Sequence, residues 1–367
     1  MKTYDSIIIG GGLAGLSLSI LLAKQGYSVL VLEKKTYPFH KVCGEYISNE
    51  SFAFLQTLGI DLAEAVPINK LVLSHNKTQI KENLDLGGIG ISRYNIDAQL
   101  AKQAKQNGVH LLEGTTCMGY EKKENCFIVK TNNENFQSEI LCASFGRYSF
   151  NTFYPNKSKK SKWLAVKYHV KGNFDASNIS LHAFKEGYCG FSKIEKDNYC
   201  LCYMTTSNQL QAYQNNISNL EKNVLYKNKF LKNIFENSQS QFEKPITISN
   251  IVFKPKKAVF DGVFYLGDSA GSIAPLTGNG MSNALRSAYE LNKILSMYLN
   301  KQISIAQAKH KYVKIWNIMF KHRIYFGSLL QIFFCIPILT ILFFYIAKRS
   351  AWLRKTLIRL SHGKPFG

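Results

Sequence analysis

The sequence predicts an α/β fold with two sheet-containing domains and a helical C-terminal region. Three observations indicate this fold: a strand, a glycine-rich turn and a helix near the N-terminus, a second such unit far along the chain, and strand-length runs of alternating aromatic and polar residues between them. The chain has 367 residues, of which 46% are hydrophobic. A chain of this size can bury a sizeable core shared by two closely joined domains.

The first unit, residues 4–34, has the pattern of a βαβ unit that binds a dinucleotide. Gly10, Gly12 and Gly15 have the spacing G-x-G-x-x-G between an apolar strand and an apolar helix. Gly10 permits a tight turn, Gly12 lets the backbone approach a pyrophosphate, and Gly15 lets helix and strand pack closely. A lone match of this kind is weak, but the flanking strand and helix make it typical of a Rossmann-type domain.

The helix after the glycines and the acid at the end of the second strand complete this half of the site. The helix opens with unpaired N–H groups and the positive end of its dipole, which favour a phosphate. The acid is Glu33, at the position where a carboxylate binds ribose hydroxyls and repels a 2′-phosphate, which disfavours NADP. The predicted nucleotide contacts in this half are Gly10, Gly12, Leu13, Ala14, Gly15, Glu33 and Lys34.

The second unit, residues 262–285, contains G-D-S-A-G, then Pro275, then G-N-G-M-S-N-A-L. This pattern resembles the distal flavin motif of the FAD-dependent reductases and hydroxylases with the glutathione-reductase-type FAD fold. In that family the aspartate, here Asp268, holds the ribityl chain, and the following glycine loop and helix start face the pyrimidine edge of the flavin. The resemblance therefore implies FAD as the cofactor and adds Gly267, Asp268, Gly278, Asn279, Gly280 and Met281 to its site.

A loop follows the first unit directly and has the sequence K-V-C-G-E, residues 41–45. It resembles the K-x-C-G segment of the geranylgeranyl reductase family, a branch of the same flavoproteins that reduces isoprenoid double bonds. The match continues through an R-x-x-x-D-x-x-L pattern formed by Arg93, Asp97 and Leu100. The chain is thus identified as similar to the geranylgeranyl reductase-like FAD-dependent oxidoreductases.

The resemblance implies roles for four side chains. In such proteins the loop lies along the flavin, which places Lys41 and Cys43 in the cofactor site. Cys43 is a candidate proton donor to a carbon after hydride delivery, or it packs on the flavin ring. Glu45 is a second candidate catalytic acid, with a surface carboxylate as the alternative. Arg93 is predicted to contact the cofactor, with a salt bridge to Asp97 one turn on as the alternative.

The resemblance covers about residues 1–150 and 255–300 and implies an FAD-dependent oxidoreductase. Such an enzyme would reduce, or dehydrogenate, a C=C bond of a hydrophobic lipid- or isoprenoid-like substrate, with NAD(P)H or another reductant as a transient electron donor. An FAD-dependent monooxygenase is the alternative. Against it, Phe145 stands where related hydroxylases have the aspartate of an Asp-Gly turn, and the W-x-W-x-I-P segment of flavin halogenases is absent. A non-enzymatic flavin electron-transfer or lipid-binding protein is a second alternative.

We predict three regions, with a boundary in the lysine-rich patch at residues 156–162. They are a discontinuous FAD-binding domain, residues 1–150 and 255–300; a substrate-binding sheet domain, residues 151–254 with strands from about 66–90; and a basic, apolar helical region, residues 301–367.

The C-terminal region combines positive charge with a long uncharged segment. Residues 301–367 contain twelve Lys and Arg residues and no Asp or Glu, in a chain with a net charge of +22. Residues 325–347 are uncharged, are interrupted by Pro337, and have basic residues on both sides. This pattern favours a segment that lies on or dips into a membrane, with a spanning helix and an internal hairpin over the active site as alternatives. The expected location is cytoplasmic, attached to the inner face of the membrane.

Composition argues against two other classes of partner. The eight cysteines show no C-x-x-C and no zinc spacing, so we expect reduced thiols in a cytosolic protein and no metal. Only seven of the 46 basic residues are Arg, the side chain preferred for phosphate and base recognition, and no nucleic-acid motif is present. We therefore expect no nucleic-acid partner.

Overall fold

The computed structural model describes residues 1–147, 153 and 161–367. Their strands in chain order are β1 Lys2–Ile9, β2 Val29–Leu32, β3 Tyr46–Ser48, β4 Val66–His75, β5 Thr78–Gly90, β6 His110–Leu112, β7 Cys117–Lys122, β8 Phe127–Thr131, β9 Asn135–Ala143, β10 Trp163–Lys171, β11 Asn178–Phe184, β12 Gly187–Lys193, β13 Asn198–Thr206, β14 Gln239–Ser240, β15 Ile246–Ser249, β16 Val259–Phe260 and β17 Val263–Tyr265. The α-helices are α1 Leu13–Lys24, α2 Phe52–Thr57, α3 Arg93–Gln106, α4 Ser207–Ala212, α5 Ile217–Asn223, α6 Lys229–Glu236, α7 Gly280–Leu299, α8 Ile305–Trp316, α9 His322–Cys335, α10 Pro337–Arg349 and α11 Ala351–Ser361.

The first sheet has the order β16-β17-β9-β1-β2-β6, and β8 and β7 continue from β9 as an antiparallel meander. Strand β1 pairs in parallel with both β2 and β9, and β17 pairs in parallel with β9. The strands are apolar on both faces where they are central, as buried parallel strands must be. Helix α1 packs against α3 and α7. The predicted Rossmann-type domain is confirmed, and it joins the two sequence-distant units in one sheet.

The second sheet has the order β14-β10-β13-β12-β11-β4-β5-β3, with β15 also paired to β10. The strands from residues 66–90 are therefore part of this sheet, beside strands that come much later in the chain. One face packs against α5 and α6 through an apolar cluster that includes Val170, Leu220 and Leu231. The other face, which carries Ala165 and Met204, turns towards the first domain and lines the cavity described below.

Most of the predicted boundary between these domains, the lysine-rich patch, lies outside the described residues. The part that lies outside is residues 156–160. The pairing of the strands divides the described residues between two sheets, while the limits of the three predicted regions stay a prediction.

The C-terminal region is helical, as predicted, and it is bent. The helices α9 and α10 meet at Ile336, and the axis turns by 105° there. Pro337 lacks an N–H and disfavours helical geometry in the residue before it, and Ile336 is accordingly extended, with φ −101° and ψ 112°. Among the described helices none is by itself long and apolar enough to cross a membrane, although the helical run Ile305–Cys335, which ends in α9, meets the length and composition required when it is taken together with α10.

Candidate active site

The glycine-rich turn after β1 is closely packed at two of its three glycines. Gly10 has φ +102°, and a Cβ there would lie 2.5 Å from the carbonyl oxygen of Ser144, which follows β9. A Cβ on Gly15 would lie 2.2 Å from the carbonyl oxygen of Gly10. Only glycine fits at these positions. Gly15 therefore acts through helix–strand contact and does not itself face the cavity.

Gly12 has a different environment, because its Cα faces the open cavity and is not packed against other atoms. It is the N-cap of α1 and has no side-chain cap, so the first N–H groups of the helix point outwards. A Cβ on Gly12 would find only the amine of Lys41 at 3.9 Å and a guanidinium nitrogen of Arg93 at 3.8 Å. An open cradle that faces a helix N-terminus and two cations fits a pyrophosphate.

Glu33 is held at the edge of this cradle by backbone N–H groups. Its carboxylate accepts hydrogen bonds from the N–H of Gly11 at 2.9 Å and of Lys35 at 3.0 Å. The hydroxyl of Tyr37 donates to the carbonyl oxygen of Gly11 from the other side. Each carboxylate oxygen can accept more than one hydrogen bond, so the buried Glu33 can still bind ribose hydroxyls. The contact from Tyr37 is not predicted by any motif in the sequence.

Arg93 forms the salt bridge with Asp97 that was the alternative to its predicted contact with the cofactor. Its guanidinium donates to both carboxylate oxygens of Asp97, at 2.9 and 2.7 Å, and the amine of Lys41 lies 2.9 Å from the same carboxylate. Burial alone would raise the pKa of Asp97, but Arg93 and Lys41 more than offset this and hold that pKa below its ordinary value. Arg93 and Lys41 also line the cavity, so the ion pair fixes two cations beside the cradle.

The distal motif lies beside α1, at the end of β17 and the start of α7. Gly267 has φ +52°, and the carboxylate of Asp268 lies 3.4 Å from the guanidinium of Arg147. Gly278 has φ +66° and precedes the first turn of α7. Asn279 is not among the residues that line the cavity, and its side-chain amide donates to the carbonyl oxygen of Ser361 at 2.8 Å.

One cavity of about 460 Å³ connects these parts. Both motifs therefore contribute to one site, although they are far apart in the sequence. The predicted cofactor residues that line it are Gly10, Gly12, Leu13, Ala14, Glu33, Lys34, Lys41, Cys43, Arg93, Gly267, Asp268, Gly278, Gly280 and Met281.

The cavity continues from the nucleotide motifs to the second sheet, where its walls are apolar. Side chains from β4, β5, β11, β13 and β15 face it, and α11 of the C-terminal region contributes a further wall. These apolar lining residues include Leu71, Leu84, Ile179, Leu181, Met204, Ile248 and Ile358. This part of the cavity suits a hydrophobic ligand.

Glu45 corrects the prediction for the K-V-C-G-E loop. It is completely buried, so the alternative of a surface carboxylate is wrong. Its carboxylate accepts from the backbone N–H of Arg93 at 2.8 Å, from the ring of His169 at 2.6 Å and from the amine of Lys167. Burial would raise the pKa of Glu45, but Lys167 and His169 lower it to about 2. A carboxylate without a proton at neutral pH is a poor general acid, which leaves Cys43 as the candidate donor.

The low pKa of Glu45 has a consequence for stability. The pKa of about 2 in the folded state lies below the value of about 4.3 for glutamate in an unfolded chain, so ionised Glu45 stabilises the fold above about pH 4.3. This stabilisation is lost as the pH falls through the folded-state pKa. We expect the free energy of unfolding, measured by urea titration from about pH 6 to about pH 2, to fall more steeply for the wild type than for Glu45→Gln. Equal slopes would contradict the assigned ionisation.

Lys167 and His169 were not identified from the sequence. Together with Ala165 they occupy every second position of β10, so all three side chains lie on the face of the sheet that is turned towards the cavity. Glu45, His169 and Cys200 also have potential ligand atoms within 4.8 Å of one another. Both oxygens of Glu45 already accept hydrogen bonds, and burial raises the pKa of the Cys200 thiol, so the arrangement is an ion-pair cluster. The expected absence of a metal stays a prediction.

The fold and the site define an FAD-binding oxidoreductase. Residues 3–134 match the family model described as FAD binding domain. FAD is the cofactor, as predicted, and the glycine turn, the α1 N-terminus, Glu33 and Asp268 fit its phosphates and hydroxyls. The chain is an FAD-dependent oxidoreductase similar to the geranylgeranyl reductases, in agreement with the resemblance found in the sequence.

Individual relatives extend over most of the chain at low identity. The chain is 22% identical to conditioned medium factor receptor 1 of Dictyostelium discoideum over 90% of its length and 70% of that protein. It is 23% identical to a digeranylgeranylglycerophospholipid reductase of Methanocaldococcus jannaschii over 89% of its length and 85% of that protein. The solved structure of the flavin-dependent brominase Bmp2 superposes with a TM-score of 0.79 at 19% identity, over 98% of this chain and 93% of that one. The structural likeness establishes the fold alone.

Proposed function

We propose that the protein transfers hydride between FAD and a C=C bond of a hydrophobic, lipid- or isoprenoid-like substrate. The observation that carries this proposal is a continuous cavity, whose nucleotide end is polar and whose other end is walled by Leu71, Ile179, Leu181 and Met204. The similarity to a protein named digeranylgeranylglycerophospholipid reductase supports a substrate of this kind. FAD supplies or accepts the hydride when it is bound.

The residues of the chain have separate tasks in this proposal. The N-terminus of α1 and the open side of Gly12 bind the pyrophosphate, with Arg93 and Lys41 nearby. Asp268 binds the ribityl hydroxyls. The apolar wall excludes water from the double bond and orients it. The thiol of Cys43, which lines the cavity, holds the proton that the second carbon of the double bond receives.

An FAD-dependent monooxygenase is the second candidate, because the flavin-dependent brominase shares the fold, whereas Phe145 in the place of the hydroxylase aspartate argues against it. Measurement of oxygen uptake separates the two reactions. The holoenzyme is supplied with NADH or NADPH and a C20 isoprenoid lipid, and oxygen consumption is compared with lipid turnover. We expect lipid turnover to continue without oxygen. Oxygen consumption in equal amounts with an oxygenated lipid would favour the monooxygenase instead.

We further propose that the C-terminal region attaches the protein to the inner face of an anionic membrane. Eleven large apolar side chains of α9, α10 and α11 and their junctions are exposed, in a region that has only basic charges. Apolar side chains that enter the interface and lysines and arginines that remain in the headgroups are the two parts of an interfacial anchor. The exposed side chains are Tyr325, Leu329, Ile332, Ile336, Ile338, Ile341, Leu342, Tyr345, Ile346, Trp352 and Leu360.

This attachment predicts binding to vesicles that salt does not fully reverse. We expect the wild type to sediment with phosphatidylglycerol-containing vesicles, and Ile338→Asp/Ile341→Asp to bind them at least about a hundredfold more weakly, because each buried Ile contributes roughly 1.5–3 kcal/mol. Ionic strength of about 0.1 M screens exposed charges beyond roughly 10 Å, so salt should weaken binding while detergent abolishes it. Met118→Asp, at an equally exposed apolar residue on β7, is the control. Wild-type protein that ignores these vesicles at low salt would contradict the proposal.

A further inference from the structure

The K-V-C-G-E loop is attached to the second sheet at every second residue. The amine of Lys167 donates to the carbonyl oxygen of Lys41 at 3.0 Å, and the thiol of Cys200 donates to the carbonyl oxygen of Cys43 at 3.2 Å. The carboxylate of Glu45 is bound by Lys167 and, at 2.6 Å, by His169. The three donors are neighbours on one face of the sheet, because His169 of β10 stands opposite Cys200 of β13.

The loop is attached to the sheet by charged side chains, although the neighbouring positions on that face of the sheet carry uncharged ones. Glu45 and Lys167 are both inaccessible to solvent, and the neighbouring positions on this face, Ala165, Cys202 and Met204, carry apolar or thiol side chains. A buried ion pair stabilises a fold no better than well-packed apolar residues of similar volume. What distinguishes the ion pair from apolar packing is that its hydrogen bonds are directional, so each of them fixes the position of its acceptor.

The backbone at Glu45 is held in an unusual conformation by the same contacts. Glu45 has φ +55°, in the left-handed region that side chains other than glycine rarely adopt. Such a conformation persists where the surrounding structure determines it. Here the carboxylate has three donors, and the carbonyl oxygen accepts from the N–H of Ile91 at 3.1 Å. Both sides of the residue are therefore fixed, and Cys43 precedes it by two residues.

We propose that Lys167, His169 and Glu45 are positioning residues, which fix the height of the K-V-C-G-E loop over the cavity and thereby the place of Cys43 beside the flavin. This inference rests on the proposed function only through the role of Cys43 as the proton donor. The ion-pair cluster joins the loop that follows the first βαβ unit to β10 of the second sheet. A displaced loop changes both the exposure of the Cys43 thiol and the surroundings of the flavin ring.

The test compares FAD-loaded variants without any substrate. Lys167→Met removes two of the loop contacts and leaves the charge of Glu45 with only His169 and the N–H of Arg93, whereas Glu45→Gln/Lys167→Met removes the same two contacts together with that charge. Lys171→Met, on the same strand but exposed, is the control. The rate of Cys43 alkylation by iodoacetamide is measured by peptide mass analysis, and the absorption spectrum and reduction potential of the bound FAD are recorded on the same samples.

We expect the double variant to retain FAD, to alkylate Cys43 roughly tenfold faster than the wild type, and to show a shifted flavin spectrum and potential, because labelling follows the opening equilibrium of the loop. Lys171→Met should match the wild type. A double variant that binds FAD and has the wild-type alkylation rate and spectrum would overturn the proposal and leave the cluster a purely structural contact. Because the measurements need no lipid, they stand whether or not the protein reduces a C=C bond.

Discussion

Gly12→Leu should abolish retention of FAD while leaving the fold intact. The backbone of Gly12 is compatible with other residues, with φ −90°, and a Cβ there meets only the ends of two flexible cations. A larger side chain can therefore be accommodated by the protein, but it fills the cradle that the pyrophosphate needs. We expect the dissociation constant for FAD to rise at least about a hundredfold, a loss of roughly 2.7 kcal/mol. Equilibrium dialysis and fluorescence of released FAD measure this.

Two further variants make the result specific. Gly190→Ala places a methyl group elsewhere in the same cavity with only ordinary contacts, the nearest at 3.7 Å, and should keep FAD. Asp268→Ala should weaken retention through the loss of its contacts with the ribityl chain. If Gly12→Leu and Asp268→Ala both bind FAD as tightly as the wild type, the assignment of the two motifs to one site is wrong.

Leu181→Arg should separate substrate binding from cofactor binding. Leu181 lies on β11 and lines the apolar end of the cavity, away from the glycine turns. A guanidinium there would have to be desolvated without a partner, at a cost of several kcal/mol when a hydrophobic ligand enters. We expect normal FAD content and a rate of reduction of a C20 isoprenoid lipid below the detection limit.

The matched control for this prediction is Leu181→Met, which conserves volume and hydrophobicity. It should retain most of the lipid-dependent rate. Thermal unfolding of all three proteins with FAD bound shows whether the arginine acts on the cavity or on the fold. Lipid reduction at the wild-type rate by a folded Leu181→Arg variant would mean that the substrate lies elsewhere.

The nucleotide half of the site was predictable because its signals are local. The G-x-G-x-x-G spacing depends on close approaches within one turn, and the structure shows such approaches at Gly10 and Gly15. The ion pair between Arg93 and Asp97 also follows from helical spacing, since residues four apart share one face. Likewise the break at Pro337 follows from the missing N–H of proline.

The parts that could not be predicted depend on contacts between strands distant in sequence. The sequence suggests a catalytic acid or a surface residue at Glu45, because nothing near it in the sequence reveals that Lys167 and His169 meet it. A lysine and a histidine on the same face of a strand that also carries apolar residues are a weak signal for such a cluster. Similarly, only the folded chain shows that the side-chain amide of Asn279 donates a hydrogen bond to the carbonyl oxygen of Ser361.

The most direct test of the central claim is an anaerobic titration of the reduced holoenzyme with a C20 isoprenoid lipid presented in vesicles. The account predicts that flavin absorbance returns in proportion to added lipid, and that mass analysis finds one double bond saturated, with a gain of two hydrogen atoms, for each flavin reoxidised. If lipid leaves the flavin reduced, the saturated lipid fails to reduce the oxidised flavin, and only oxygen restores the absorbance, then the proposed hydride transfer to or from a C=C bond is contradicted.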